Sequence, residues 1–182
     1  MKNKYAAIFV QILITATFIL IIGCSIAEYK SDETKHASLT IGVFGKIPGI
    51  NDRNVRFKKV NLKDLNRKID DHLDGLFIMP DRLIEADKGQ YADLYKKLPY
   101  PTFFIGSEKP YYVFTDKSIS YEEGITVKDG IYAWGVLGLE NGQFKVWGFG
   151  LKADVKNDKN IKEMYEEIFQ LLSDLKKTKN EQ

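Results

Sequence analysis

Asp74-Gly-Leu-Phe-Ile-Met79 and Pro101-Thr-Phe-Phe-Ile-Gly106 are two short apolar runs, each bounded by glycine or proline. Runs of this length, apolar at successive positions, fit strands buried on both faces, because a strand with one wet face alternates. Between them, Pro80-Asp81 closes the first run and offers Asp81 as a helix cap. Tyr91, Leu94, Tyr95 and Leu98 then keep helical spacing across an interruption at Gly89, until Pro99 and Pro101 stop the helix. Strand, helix, strand in this form predicts a parallel pair with a helix packed across it.

Moving toward the amino terminus, residues 39–45 (Leu-Thr-Ile-Gly-Val-Phe-Gly) read as a buried first strand. A loop with Pro48, Gly49 and Asn51-Asp52 follows, and then residues 55–60, which alternate Val55, Phe57 and Lys59 against Arg56, Lys58 and Val60 as an edge strand does. Asn61 caps a predicted helix in which Leu62, Leu65, Ile69 and Leu73 form one stripe. This half of the chain resembles a Rossmann-like or periplasmic-binding-protein lobe over about 70 residues. The first connection is shorter than the crossover helix such lobes carry.

Beyond Gly106 the pattern becomes antiparallel. Strands are expected at 111–115, 119–121, 125–128, 131–139 and 144–151, with turns at Asp129-Gly130 and Asn141-Gly142, dipeptides that supply the positive φ of two-residue hairpins. Ile161, Met164, Tyr165, Ile168, Leu171, Leu172 and Leu175 then make an amphipathic stripe, capped by Asn157 or Asp158, with acids early and lysines late. The expected fold is a single α/β domain over 39–182, with a mixed sheet, parallel in its first half and antiparallel in its second, flanking helices and a C-terminal amphipathic helix.

The first 24 residues are of another kind. Lys2 and Lys4 precede an apolar run over 6–22 that ends in Ile21-Ile22-Gly23-Cys24. A basic start, an apolar segment and a small residue before a cut are the parts of a secretory signal. The tetrapeptide resembles the lipobox of bacterial lipoproteins. That resemblance implies a signal peptide over 1–23 cleaved between Gly23 and Cys24, a diacylglycerol (with palmitate among its acyl chains) on the Cys24 sulfur, and a protein held on the extracytoplasmic face of the cell membrane. The alternative is an uncleaved membrane helix, since the nineteen residues of 5–23 would span roughly 28 Å at ~1.5 Å per residue. Cys24 is the single cysteine of the chain, which favours the lipid and leaves no disulfide for an exported domain, a pattern compatible with a Gram-positive surface. Residues 24–38 read as the lipidated cysteine and a polar tether, reaching roughly 20 Å as a flexible coil, with His36 solvated in it.

Without residues 1–23, basic and acidic residues balance at 25 each, so the counterion release that drives nucleic-acid binding has no basic excess to work with. Gly42, Gly45 and Gly49 do not match a dinucleotide fingerprint, no G-x-S-x-G occurs, and neither His36 nor His72 has metal-ligand spacing. No catalytic residue, metal ligand or cofactor is assigned. If the strands at 39–45, 76–79 and 102–105 run parallel, the loops at their carboxyl ends meet on one edge, where open α/β sheets bind ligands. Those loops carry Lys46, Asn51, Asp52 and Arg53, then Asp81 and Arg82, then Ser107 and Glu108. Their mixed charge suits a small polar ligand or a protein partner, although loop residues of these types also serve turns and caps. The aromatic hairpin, with Tyr132, Trp134, Trp147 and Phe149, is either a stacking surface or core. A non-catalytic binding module is the expected role. A solute-binding accessory lobe is the second reading, and an extracytoplasmic enzyme using Asp52, Asp81 or Glu108 as acid or base the third.

Overall fold

The computed structural model describes residues 36–127 and 130–181; Cys24 and the signal-like segment lie outside them. The described residues form one six-stranded sheet in the order β2-β1-β3-β4-β5-β6. The strands are β1 (Leu39–Phe44), β2 (Val55–Lys59), β3 (Gly75–Ile78), β4 (Thr102–Ile105), β5 (Ile131–Gly138) and β6 (Phe144–Gly150). β2, β1, β3 and β4 run parallel, whereas β5 and β6 are antiparallel to their neighbours. The mixed α/β sheet read from the sequence is the one observed, with β2 at an edge.

β1 and β2 pair in parallel although residues 45–54 contain no helix. Parallel neighbours usually need a crossover of a dozen or more residues. Here the segment is a loop of bends and a turn: it leaves the carboxyl end of β1, tucks Ile50 against the core and returns to the amino end, where Leu39 donates its amide to the Asn54 carbonyl at 2.7 Å.

One face of the sheet is covered by the C-terminal helix α5 (Asp158–Asn180), which buries Met164, Tyr165, Ile168, Phe169 and Leu172. Under it lie Ile41, Val43, Phe77, Met79, Phe103 and Ile105. Asn157 caps α5 by accepting the Asn160 amide at 2.8 Å, and Lys176 near its far end reaches the Ser38 carbonyl at 2.9 Å. The helix thus runs antiparallel to β1, from the carboxyl edge of the parallel strands to their amino edge.

The other face carries α1 (Leu62–Arg67), α2 (Leu83–Ala86), α3 (Ala92–Lys97) and α4 (Tyr112–Thr115). The stripe expected from Leu62 to Leu73 is helical only to Arg67. Asp70 takes the chain out of the helix by accepting the His72 amide at 3.2 Å and pairing with Lys58 at 2.6 Å, so Leu73 reaches the core from a loop. His72 is exposed.

Residues 111–115, expected as a strand, form α4 instead. The place beside β4 is taken by β5, and Phe114 stacks face to face on Phe104 with centroids 3.8 Å apart. Residues 119–121 are not a strand either: Asp116 bonds Ser118, and Glu123 bonds the Ser120 amide and hydroxyl, local side-chain bonds that compete with a ladder. Ile125 to Val127 run without strand pairing, tied by the Val127 amide to the Glu108 carbonyl. Asp129 lies outside the described residues. The chain does turn back at Asn141-Gly142, but through three residues and not two: the Leu139 amide donates to the Gln143 carbonyl at 2.8 Å, and Gly142, at φ 78°, donates to the Leu139 carbonyl at 2.9 Å while Asn141 keeps a negative φ.

The 116–124 loop is strapped to the helices by Asp87, whose Oδ2 accepts the Tyr121 amide at 2.5 Å while Oδ1 is buried without a partner among the described residues. Burial pushes the Asp87 carboxyl up from its ordinary value, the Tyr121 amide opposes that, and Glu122 and Glu123 add to it. The folded protein therefore holds this proton more tightly than the unfolded chain. Stability falls as pH rises from the ordinary value of 3.8 through the raised one, and the deficit persists above it. Asp87→Asn keeps an acceptor for Tyr121 and removes the charge. The variant is expected to melt above the parent at pH 7, with the gap closing as pH is lowered toward 4; equal melting at pH 7 would refute the desolvation argument.

Candidate functional site

The strand order reverses direction between β1 and β3, which both leave the sheet at the edge where open α/β sheets commonly take ligands. That crevice is filled by the protein itself. Gly45 sits at φ +121°, and an added Cβ would lie 2.6 Å from Asp81 Oδ1 and 2.7 Å from the Met79 Cβ. Only glycine allows β1 to end this close to the residues after β3. Asp81 Oδ1 accepts the Lys46 amide at 3.1 Å, so Asp81 ties two loops together and is not the helix cap expected. The short helical turn at Pro80–Arg82 has no side-chain cap.

Arg82 lies over the Phe44 ring at 5.7 Å and bonds Glu85 at 2.9 Å. At the end of β4, Gly106 (φ +67°) leaves room for Pro80, whose Cγ would be 2.9 Å from an added Cβ. Ser107, 2% exposed, closes its own turn by donating to the Lys109 carbonyl at 2.7 Å. Glu108 is exposed.

Asn51, Asp52 and Arg53 part company along the returning loop. Asn51 stays at the carboxyl edge. Asp52 is carried to the amino edge, where its Oδ2 meets His36 Nε2 at 3.0 Å, and exposed Arg53 follows it. Asp52 and Asp81 thus stand at opposite ends of the strands and share no site. His36 is not solvated: its side chain is 7% exposed, its ring lies 5.6 Å from that of Phe169, and its carbonyl accepts from Asn54. A lone histidine in a polar stretch gave no sign of this docking.

An open groove of about 560 Å³ remains beside the filled crevice, on the α5 side. Pro48, Gly49, Ile50 and Asn51 form one wall, and Met79 lines it from the sheet. The opposite wall is Asp158, Ile161, Lys162 and Tyr165, at positions i, i+3, i+4 and i+7 of α5, which share one helix face. Of the eight loop residues picked from sequence, only Asn51 lines this groove. The helix residues were missed because their spacing reads as core, and Tyr165 is indeed 3% exposed. Burial pushes the Tyr165 hydroxyl well up, with neighbouring Tyr132 adding to it, so it is a neutral hydrogen-bond donor at any physiological pH.

The aromatic hairpin does not present one stacking surface. Trp134 faces the helical side, 5.9 Å from Tyr111, while Trp147 and Phe149 join the α5 side. Gly135 gives Phe103 its space there.

No group of three or more His, Cys, Asp or Glu side chains that could hold a metal occurs among the described residues. No helix among them is long and apolar enough to cross a membrane. Comparison of the chain with protein-family models, curated proteins and solved structures finds no match.

Proposed function

We propose that this chain is a bacterial lipoprotein, anchored through Cys24 on the extracytoplasmic face of the membrane, whose α/β domain is a non-catalytic binding module. The anchor rests on sequence: Lys2 and Lys4, the apolar run over 6–22 and Ile21-Ile22-Gly23-Cys24. Two or three acyl chains hold a protein firmly where one does not.

The observation that carries the binding reading is the fate of the charged residues at the carboxyl edge. Asp81 ties two loops together, Arg82 pairs with Glu85 three residues on and Ser107 closes its own turn, so all three are engaged within the protein. Beside them the groove combines an apolar lining with a few polar groups, the usual make-up of a binding site. The balanced charge of the part beyond residue 23 points to a small polar ligand or a protein rather than to nucleic acid.

Mass spectrometry of the N-terminal peptide from membrane-extracted protein tests the anchor. A peptide beginning at Cys24 and carrying a diacylglyceryl mass is expected, and Cys24→Ala should abolish both the modification and the cleavage. An unmodified thiol, with membrane association unchanged in Cys24→Ala, would favour the uncleaved helix instead.

A further inference from the structure

The groove wall supplied by α5 presents an acid, an apolar residue, a base and a hydroxyl in register: Asp158, Ile161, Lys162 and Tyr165. Asp158 has no ion pair or side-chain hydrogen bond among the described residues, and Lys162 has only a 3.5 Å contact with exposed Glu166. Although Tyr165 is almost wholly buried, its hydroxyl has no hydrogen-bond partner among the described residues. The Tyr165 oxygen is not among the buried unpartnered side-chain atoms of the described residues: the ring is buried while the tip reaches the groove it lines, where a ligand oxygen can take the place of water.

We infer that the groove binds a short zwitterionic peptide, two residues long, by its two charged ends. Asp158 takes the ammonium, Lys162 takes the carboxylate, and Tyr165 donates to a carboxylate or carbonyl oxygen. The Cβ atoms of residues four apart on a helix are about 5–6 Å apart, and the termini of an extended dipeptide are roughly 7 Å apart at ~3.3–3.6 Å per residue. A free amino acid, whose two charged groups are bonded to one carbon, spans less of that separation than a dipeptide does. Ile50, Met79 and Ile161 offer apolar surface to its side chains, so aliphatic residues are preferred.

This inference rests on the reading of the domain as a binding module but not on the anchor, so a bare Cys24 would leave it standing. The test is calorimetric titration of the full chain in detergent with leucyl-leucine, with N-acetyl-leucyl-leucine amide, and with free leucine. Leucyl-leucine is expected to bind saturably, and the capped peptide and free leucine each at least about tenfold more weakly, as loss of a charge-assisted contact implies. Lys162→Gln and Asp158→Asn should each weaken leucyl-leucine about tenfold, and Tyr165→Phe about 3- to 10-fold. Tyr165→Phe removes a hydroxyl with no partner in the free protein, so its melting temperature should match or exceed the parent's; a merely structural tyrosine would show that without the binding loss. Equal binding of the capped peptide, equal affinity in the three variants, or no saturation by about 10 mM leucyl-leucine would overturn the assignment. Saturable binding indifferent to Tyr165 and Lys162 would overturn this groove while sparing the broader binding reading.

Discussion

Phe77→Ala should destabilise the domain by about 3–5 kcal/mol, the cost of deleting a buried phenylalanine. Phe77 is fully buried on β3, and four rings surround it on the α5 face. Phe103 meets it edge-on at 5.6 Å, Phe169 lies nearly parallel at 6.4 Å, and Tyr165 and Phe57 stand at 5.7 and 6.2 Å. These rings come from β2, β4 and α5, so no single neighbour can collapse into the void without dragging an element with it. Domains of this size are typically stable by only ~5–15 kcal/mol, and the variant should therefore unfold at a much lower urea concentration with its m-value unchanged. Phe77→Leu, which keeps most of the volume, should lose less than half as much. A loss below about 1 kcal/mol for the alanine variant would mean that the cluster is not the keystone described.

The second large effect is expected at Gly45. Alanine there must adopt φ near +121° and place a methyl against Asp81 and Met79 at once. Backbone strain of ~1–3 kcal/mol adds to a similar overpacking term, giving roughly 2–5 kcal/mol in all. Relief requires β1 and β3 to part at their carboxyl ends, which breaks the Lys46 to Asp81 hydrogen bond and shifts Met79 in the groove. Denaturant unfolding measures the loss. Amide hydrogen exchange at Lys46, accelerated beyond the global change, would show that the damage starts there. Alanine tolerated without cost would exclude the close approach of the two loops.

Buried strands and the long helix were legible because their signals are local: apolar runs for β3 and β4, Asn-Gly for the β5–β6 turn, a seven-residue stripe and a cap for α5. The segment from Tyr111 to Val127 departs from its local pattern for a physical reason. Tyr111, Val113 and Ile119 carry strand propensity, but propensity of this kind reports fit to a half-buried pleated surface, and the sheet had no vacant edge there. Asp116 and Ser120, which define the actual turns, gave the better signal. The carboxyl-edge location was also legible, yet most residues named for it were not, since the path of the 45–54 loop depends on packing by Ile50 that no local pattern encodes. Tyr165 was hidden by its own periodicity: a residue spaced as core and buried as core can still border a ligand site with its polar tip.

The His36 docking has a geometric outcome. His36 is fastened to Asp52, and Ala37 donates its amide to Ser173 near the end of α5 at 2.8 Å, so the polypeptide enters the folded body at the pole where the strands begin. The groove opens at the pole where they finish, roughly 20 Å away along a six-residue strand. If the anchor proposed at Cys24 holds the chain, its pull reaches the folded body at the first pole and not at the mouth.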